Sequence, residues 1–124
     1  MPSNPSRHTY SPGQDIPCTA STAVTGARFV LIGTSGVKPN PNIKPCTDGL
    51  QPFGVASYDA AVGQTVRVMR AGVVLVKVGA GGLTANQEVQ SDANGQAIVL
   101  AAGKAAGRAV YDAAAGALAE IALY

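Results

Sequence analysis

The stretch TVRVMRAGVVLVKVGAGG, residues 65–82, alternates apolar and polar side chains, breaks at Arg70-Ala71-Gly72, and then alternates again. Alternation with a period of two is the mark of a half-buried β-strand, because successive side chains leave a strand on opposite faces. Val66 and Val68 share one face of the first strand, and Val74, Val76 and Val78 share one face of the second. Joined by a glycine turn, the two strands are expected to form a hairpin whose valines meet in a core. Arg67, Met69, Leu75 and Lys77 then lie on the other face.

Short strands with glycine turns continue on both sides of this unit. Strands are expected over residues 53–57, 65–70, 73–79, 87–90, 97–101, 108–111 and 117–123, with turns at Gly63, Gly72, Gly95 and Gly116. Ala93-Asn94-Gly95 is a strong hairpin signal, since Asn and Gly both accept the left-handed backbone of a tight turn. Upstream, DIPCTAS and ARFVLIG read as two further strands, and the unbroken apolar run 29–32 suits a strand buried on both faces. The alanine-rich C-terminus, residues 101–124, has helical propensity. Gly103, Gly107 and Gly116 interrupt it, and strands are expected there instead.

The sequence echoes itself. FGVASYDAAVGQTVRV (53–68) is matched by residues 107–123, which are Gly107 followed by RAVYDAAAGALAEIAL. Each segment runs strand, Tyr-Asp-Ala-Ala, Gly, strand, so that Tyr58-Asp59 matches Tyr111-Asp112. In such a turn the carboxylate can accept backbone N–H bonds and fix the loop.

All eight prolines lie between Pro2 and Pro52. Residues 1–14 read as an extended proline-rich arm, residues 15–124 as one β-rich domain, and residues 34–52, rich in Pro-Asn steps, as a long stiff loop. The expected fold is all-β: a small antiparallel barrel or sandwich, of the β-clip or β-tulip kind, carrying that arm.

Composition narrows the function. The chain has 124 residues, enough for one core, and charged residues make up 13%, about half the usual share. The net charge of +2 comes with basic residues scattered singly, whereas nucleic-acid binding needs them clustered. No apolar run approaches the roughly 18 residues of a membrane span, and the N-terminus lacks the apolar centre of a signal peptide, so synthesis without export is expected. His8 is the sole histidine, and no nucleophile, base and orienting group come together, so neither a catalytic set nor a metal or cofactor site is expected. GAGG at 79–82 is followed by Leu83-Thr84 rather than the Lys-Ser/Thr of a phosphate loop. Cys18 and Cys46 could form a disulfide or remain as two half-buried thiols. What remains is a binding module, with Arg67, Arg70 and Lys77 on the hairpin and Arg7 and Tyr10 on the arm as candidate partner-binding residues. An extended arm suits docking against a partner's sheet edge or surface groove.

The glycine and valine pattern of the second half resembles the capsid decoration, or cement, proteins of tailed bacteriophages. The elements that carry the likeness are Gly54-Val55-Ala56 and residues 63–68, 72–76, 83–95 and 107–123. The resemblance covers residues 15–124; the arm and the Pro-Asn loop lie outside its pattern. It implies a non-enzymatic virion protein, made in the host cytoplasm, that binds the exterior of an assembled head. There it would bridge major capsid protein subunits, as a homotrimer at three-fold positions, without nucleic acid, membrane or cofactor. Other phage structural roles (head completion, tail or fibre) are the alternative. A carbohydrate-binding module would call for exposed aromatic residues, and the chain has no Trp, four Tyr and two Phe.

Overall fold

A computed structural model describes Tyr10, Gly13, residues 15–36 and residues 38–124. Among these residues there are ten strands and no helix. They are β1 (Ile16–Ala20), β2 (Phe29–Ile32), β3 (Asn42–Pro45), β4 (Gly54–Ala56), β5 (Thr65–Met69), β6 (Val73–Lys77), β7 (Glu88–Ser91), β8 (Ala97–Val99), β9 (Gly107–Ala109) and β10 (Leu118–Leu123). The first five close into a barrel in the order β1-β3-β2-β4-β5; the last five form a sheet in the order β6-β10-β9-β7-β8.

The hairpin expected from residues 65–78 does not form. β5 pairs with β1 and β4, whereas β6 pairs with β10, so the two strands flank the Arg70-Ala71-Gly72 turn but belong to different sheets. The valine faces are buried as their alternation requires, in separate cores. Val66 and Val68 fill the barrel with Ile16, Cys18, Ala20, Val30, Ile43 and Ala56. Val74, Val76 and Val78 pack with Val89, Ala97, Ala109, Ala119 and Ile121. Periodicity reports which face is buried; it carries no information on which strand lies alongside.

The second half repeats the first, pairing by pairing. Ile16↔Val68 between β1 and β5 answers to Val74↔Ile121 between β6 and β10. Val55↔Met69 answers to Arg108↔Ala122, and Val30↔Gly54 to Val89↔Gly107. Ile32↔Ile43, joining β2 to β3, answers to Ser91↔Ala97, joining β7 to β8. β1 and β3 run parallel, closing the barrel at Ala20↔Ile43; a single parallel pair, Val78↔Ala97, stands in the corresponding place in the second half. The chain is therefore two copies of one five-stranded unit in tandem.

Two features position the rest. Phe29 and Val55 leave β2 and β4 on the side away from the barrel interior and are fully buried in the second core, so the two cores share a wall. That sharing is what lets a chain of a length suited to one core hold two. The Pro/Asn-rich segment is not loop throughout, because Ile43 is an inward side chain of the first barrel and draws residues 42–45 into β3. Proline is tolerated at the end of that strand, where one missing N–H ends the ladder rather than breaking it. The Asn94-Gly95 signal is met by the β7–β8 hairpin: Asp92 Oδ1 accepts from the N–H groups of Asn94 (2.8 Å) and Gln96 (2.9 Å), and Gly95 takes φ 75°.

Cys18 and Cys46 are unpaired and buried in different cores. Burial pushes the Cys18 thiol up to about 11, against a smaller opposing effect of the Arg70 charge, and burial likewise raises Cys46. Both thiols should thus be inert to an aromatic disulfide reagent at pH 8 in the native protein and react fully in denaturant. Rapid native reaction of either would contradict this packing.

Gly54 and Gly107 occupy equivalent places on β4 and β9. A Cβ on Gly54 would lie 2.6 Å from the Met69 carbonyl oxygen, and one on Gly107 would lie 2.4 Å from that of Ala122. Gly54→Ala and Gly107→Ala should each lower unfolding free energy by about 1–3 kcal/mol, measured by urea denaturation, because the partner backbone must move to admit the methyl group.

Candidate binding surface

The turn that joins β4 to β5 and its counterpart between β9 and β10 are built alike. Asp59 Oδ1 accepts from the Gly26 N–H at 2.8 Å, and Asp112 Oδ1 accepts from the Ala85 N–H at 2.7 Å. These are the carboxylates of the repeated Tyr-Asp step, and each ties its turn across to a second loop. Ala60 and Ala113 sit beside them, paired with Val24 and Leu83. The turns are tied down in this way at the ends of strands that border an open groove.

That groove runs between the two halves. Met69, Arg67, Ala56 and Ser57 line it from the barrel, and Val73, Leu75 and Leu118 line it from the second sheet. Val73, Leu75 and Leu118 alternate with buried residues along β6 and β10, so the strand pattern itself delivers them outward. They remain 57%, 48% and 54% exposed. Three aliphatic side chains left in water around one concavity form the kind of patch that marks a contact site.

The candidate cations do not cluster, because the hairpin that would have brought them together is absent. Arg67 borders the apolar groove; its Nε lies 3.4 Å from Asp15 Oδ2 and 3.3 Å from Ser57 Oγ. Arg70 faces a separate groove lined by Leu31, Ile32, Lys44, Pro52 and Phe53. There its guanidinium lies 4.3 Å from the Phe53 ring centroid, and its Nε donates to the Phe53 carbonyl at 2.8 Å. Lys77 lies further along β6, on the same face as Val73 and Leu75, and has no ion-pair partner among the described residues. Tyr10 packs against the first core and its hydroxyl donates to the Pro39 carbonyl. Arg7 lies outside the described residues.

Alternation alone places Leu75 and Met69 on the outward face but does not connect them with Leu118. The signal is available in the alternation of residues 118–122; the missing step is the β6–β10 pairing, which sets Leu118 opposite Lys77 and Glu120 opposite Leu75. Among the described residues, no three His, Cys, Asp or Glu side chains gather as a metal site, and no helix is long and apolar enough to cross a membrane.

Comparison with known proteins gives this surface a context. Residues 9–123 match the phage cement protein family. The fold is similar to that of the N-terminal base of the head fibre of bacteriophage phi29, with a TM-score of 0.74 and 18% sequence identity, over 90% of this chain and 93% of the other. No curated protein sequence matches the chain.

The fold is thus one used by a structural protein of a phage head, and the all-β expectation holds. The chain belongs to the phage cement proteins, and its role is that of a structural component associated with a phage capsid.

The Arg67–Asp15 pair is exposed on both sides and screened by water, so it adds little to folding. Arg67→Ala should change unfolding free energy by less than about 1 kcal/mol in a urea titration. A larger loss would mean that the side chain supports the fold rather than remaining free for a partner.

Proposed function

We propose that the chain binds the outer surface of an assembled phage head and bridges neighbouring major capsid subunits, as a homotrimer at three-fold positions. The observation that carries this reading is the exposed apolar face of Val73, Leu75 and Leu118, set in a cement-family chain with few charges. Covering aliphatic surface releases about 25 cal/mol for each Å² taken from water, and a subunit junction offers surface to cover. Arg67 and Lys77 flank the face and set its register against capsid carboxylates, while Arg70 marks the second groove. The N-terminal segment, with Arg7 and Tyr10, adds a separate contact; Tyr10 holds the start of that contact against the barrel.

The mechanism is mass action. A protein that binds the assembled shell and not its separated subunits stabilises the shell by its own binding free energy, repeated at every site. Packed DNA pushes the lattice outward, and clamps across subunit junctions oppose that push. The chain would act on the exterior of the virion, with capsid protein and its own copies as partners.

The likeness to the phi29 head-fibre base supports a second reading, in which the chain seats a projecting fibre on the head. Copy number and shape separate the two. Particle images should show compact density of this mass repeated over the surface for a cement protein, and stalks at a subset of sites for a fibre base.

Heads assembled without the protein should form but release DNA at lower temperature and under osmotic shock or chelation, and added protein should restore them. Leu75→Ala should weaken attachment about 5- to 30-fold and Leu75→Asp should abolish it, read as occupancy per head by quantitative gel electrophoresis. Mutant heads as robust as the wild type would count against reinforcement, and full occupancy by Leu75→Asp would count against this face.

A further inference from the structure

The tandem repeat allows a residue-by-residue question about its two turns: which identities does the fold require? Asp59 and Asp112 each accept a backbone N–H from a neighbouring loop. Ala60 and Ala113 exchange backbone hydrogen bonds with Val24 and Leu83, and their small side chains pack against the two cores. Gly63 and Gly116 hold φ at 85° and 83°, which favours glycine. Each of these identities has a structural cause.

Tyr58 and Tyr111 have none. They occupy the same position in the two turns, their residues are 51% and 62% exposed, and neither hydroxyl has a hydrogen-bond partner among the described residues. The exposed aliphatic residues nearby are not shared: Val62 answers to Ala115 in the second turn, and Val110 answers to Ser57 in the first. The aspartates are committed to backbone, so the exposed side chain that the two turns share is an aromatic ring with a free phenol. A ring held on a fixed turn has two side-chain torsions to lose on docking, and it covers a large area when buried.

We propose that Tyr58 and Tyr111 are paired contact residues that enter equivalent sockets, apolar-walled with one hydrogen-bond acceptor, on two copies of the same protein subunit. Two like contact elements in one chain match two like sites, and a shell built from many copies of one subunit supplies such sites at fixed spacing. The inference rests on the capsid-binding reading above and adds to it a valency: a single chain grips twice with the same chemistry. Once one tyrosine is seated, the second binds as an intramolecular step at high effective concentration, so the bivalent attachment outlasts either contact alone.

The test uses heads of the phage that encodes the chain, assembled without it, and full-length protein titrated onto them. Tyr58→Ala and Tyr111→Ala should each weaken binding by roughly 10- to 100-fold. The two losses should be about equal, and the double variant should be weaker than either by at least a further tenfold. Tyr→Phe at either site should cost less than Ala, because the ring is kept. Melting temperatures followed by circular dichroism should stay within a few degrees of wild type, because both rings are exposed in the native fold; Tyr58→Lys and Tyr111→Lys provide folded, soluble substitutes should Ala prove unstable. Wild-type binding with an unaffected double variant would overturn this inference alone. Complete loss from one tyrosine and none from the other would overturn the pairing. Heads that fail to bind even the wild-type protein would overturn the capsid reading, and this inference with it.

Discussion

β4 and the first half of β2 are buried on both faces, and the rest of the molecule is arranged around that fact. Val30 and Ala56 point into the barrel, while their chain neighbours Phe29 and Val55 point into the second core. Pairing of Phe29 with Val55 across the two strands makes one apolar wall that serves two interiors. A small domain has difficulty burying enough surface, and a unit of about sixty residues is near the lower limit for a stable single core. Sharing a wall raises the buried fraction of both units at once. It also fixes their relative placement, because Phe29 cannot leave the second core without exposing a full aromatic side chain.

The second unit does not repeat the apolar wall of the first. The positions equivalent to Phe29 and Val55 are Glu88 and Arg108, again paired across two strands. Instead of an apolar wall, the second unit presents charge: Arg108 donates to the Asn86 carbonyl at 2.7 Å, and the Tyr124 hydroxyl donates to Glu88 Oε2 at 2.8 Å, which with desolvation raises the Tyr124 phenol above its usual range. A polar face at this position stays in water without the cost that an uncovered apolar wall would carry. The apolar face of Val73, Leu75 and Leu118 lies elsewhere, on the outside of β6 and β10.

Much of this is legible in the chain. Alternation locates the strands, glycine punctuation overrides the helical propensity of the C-terminus, and the Tyr-Asp echo is the visible part of a full duplication. The family likeness rests on the same glycines. Gly54 and Gly107 are required where a neighbouring backbone passes within contact distance. What cannot be read is partnership between strands. β5 and β6 have ideal hairpin spacing, and nothing local shows that the turn at Gly72 instead hands the chain from one sheet to the other. For the same reason Arg67, Arg70 and Lys77 look like one patch in the sequence and occupy separate places in the fold. Leu118 and Leu75, 43 positions apart by their numbers, become neighbours only once β6 and β10 are known to pair.

The shared wall also bears on how the chain is made. Every ladder of the first barrel closes within residues 16–69, so that unit can fold while the remainder is still on the ribosome. Until β6–β10 arrive, however, Phe29 and Val55 are bare, and the nascent barrel carries an adhesive flank among identical copies. Such transiently uncovered surface is where misassembly begins. The three-residue link at Arg70-Ala71-Gly72 starts the covering unit at once, but its first strand, β6, pairs with its last, β10, so the cover closes only when the whole second unit has been made. Strand order thus sets how long Phe29 and Val55 stand uncovered: for the synthesis of one full unit.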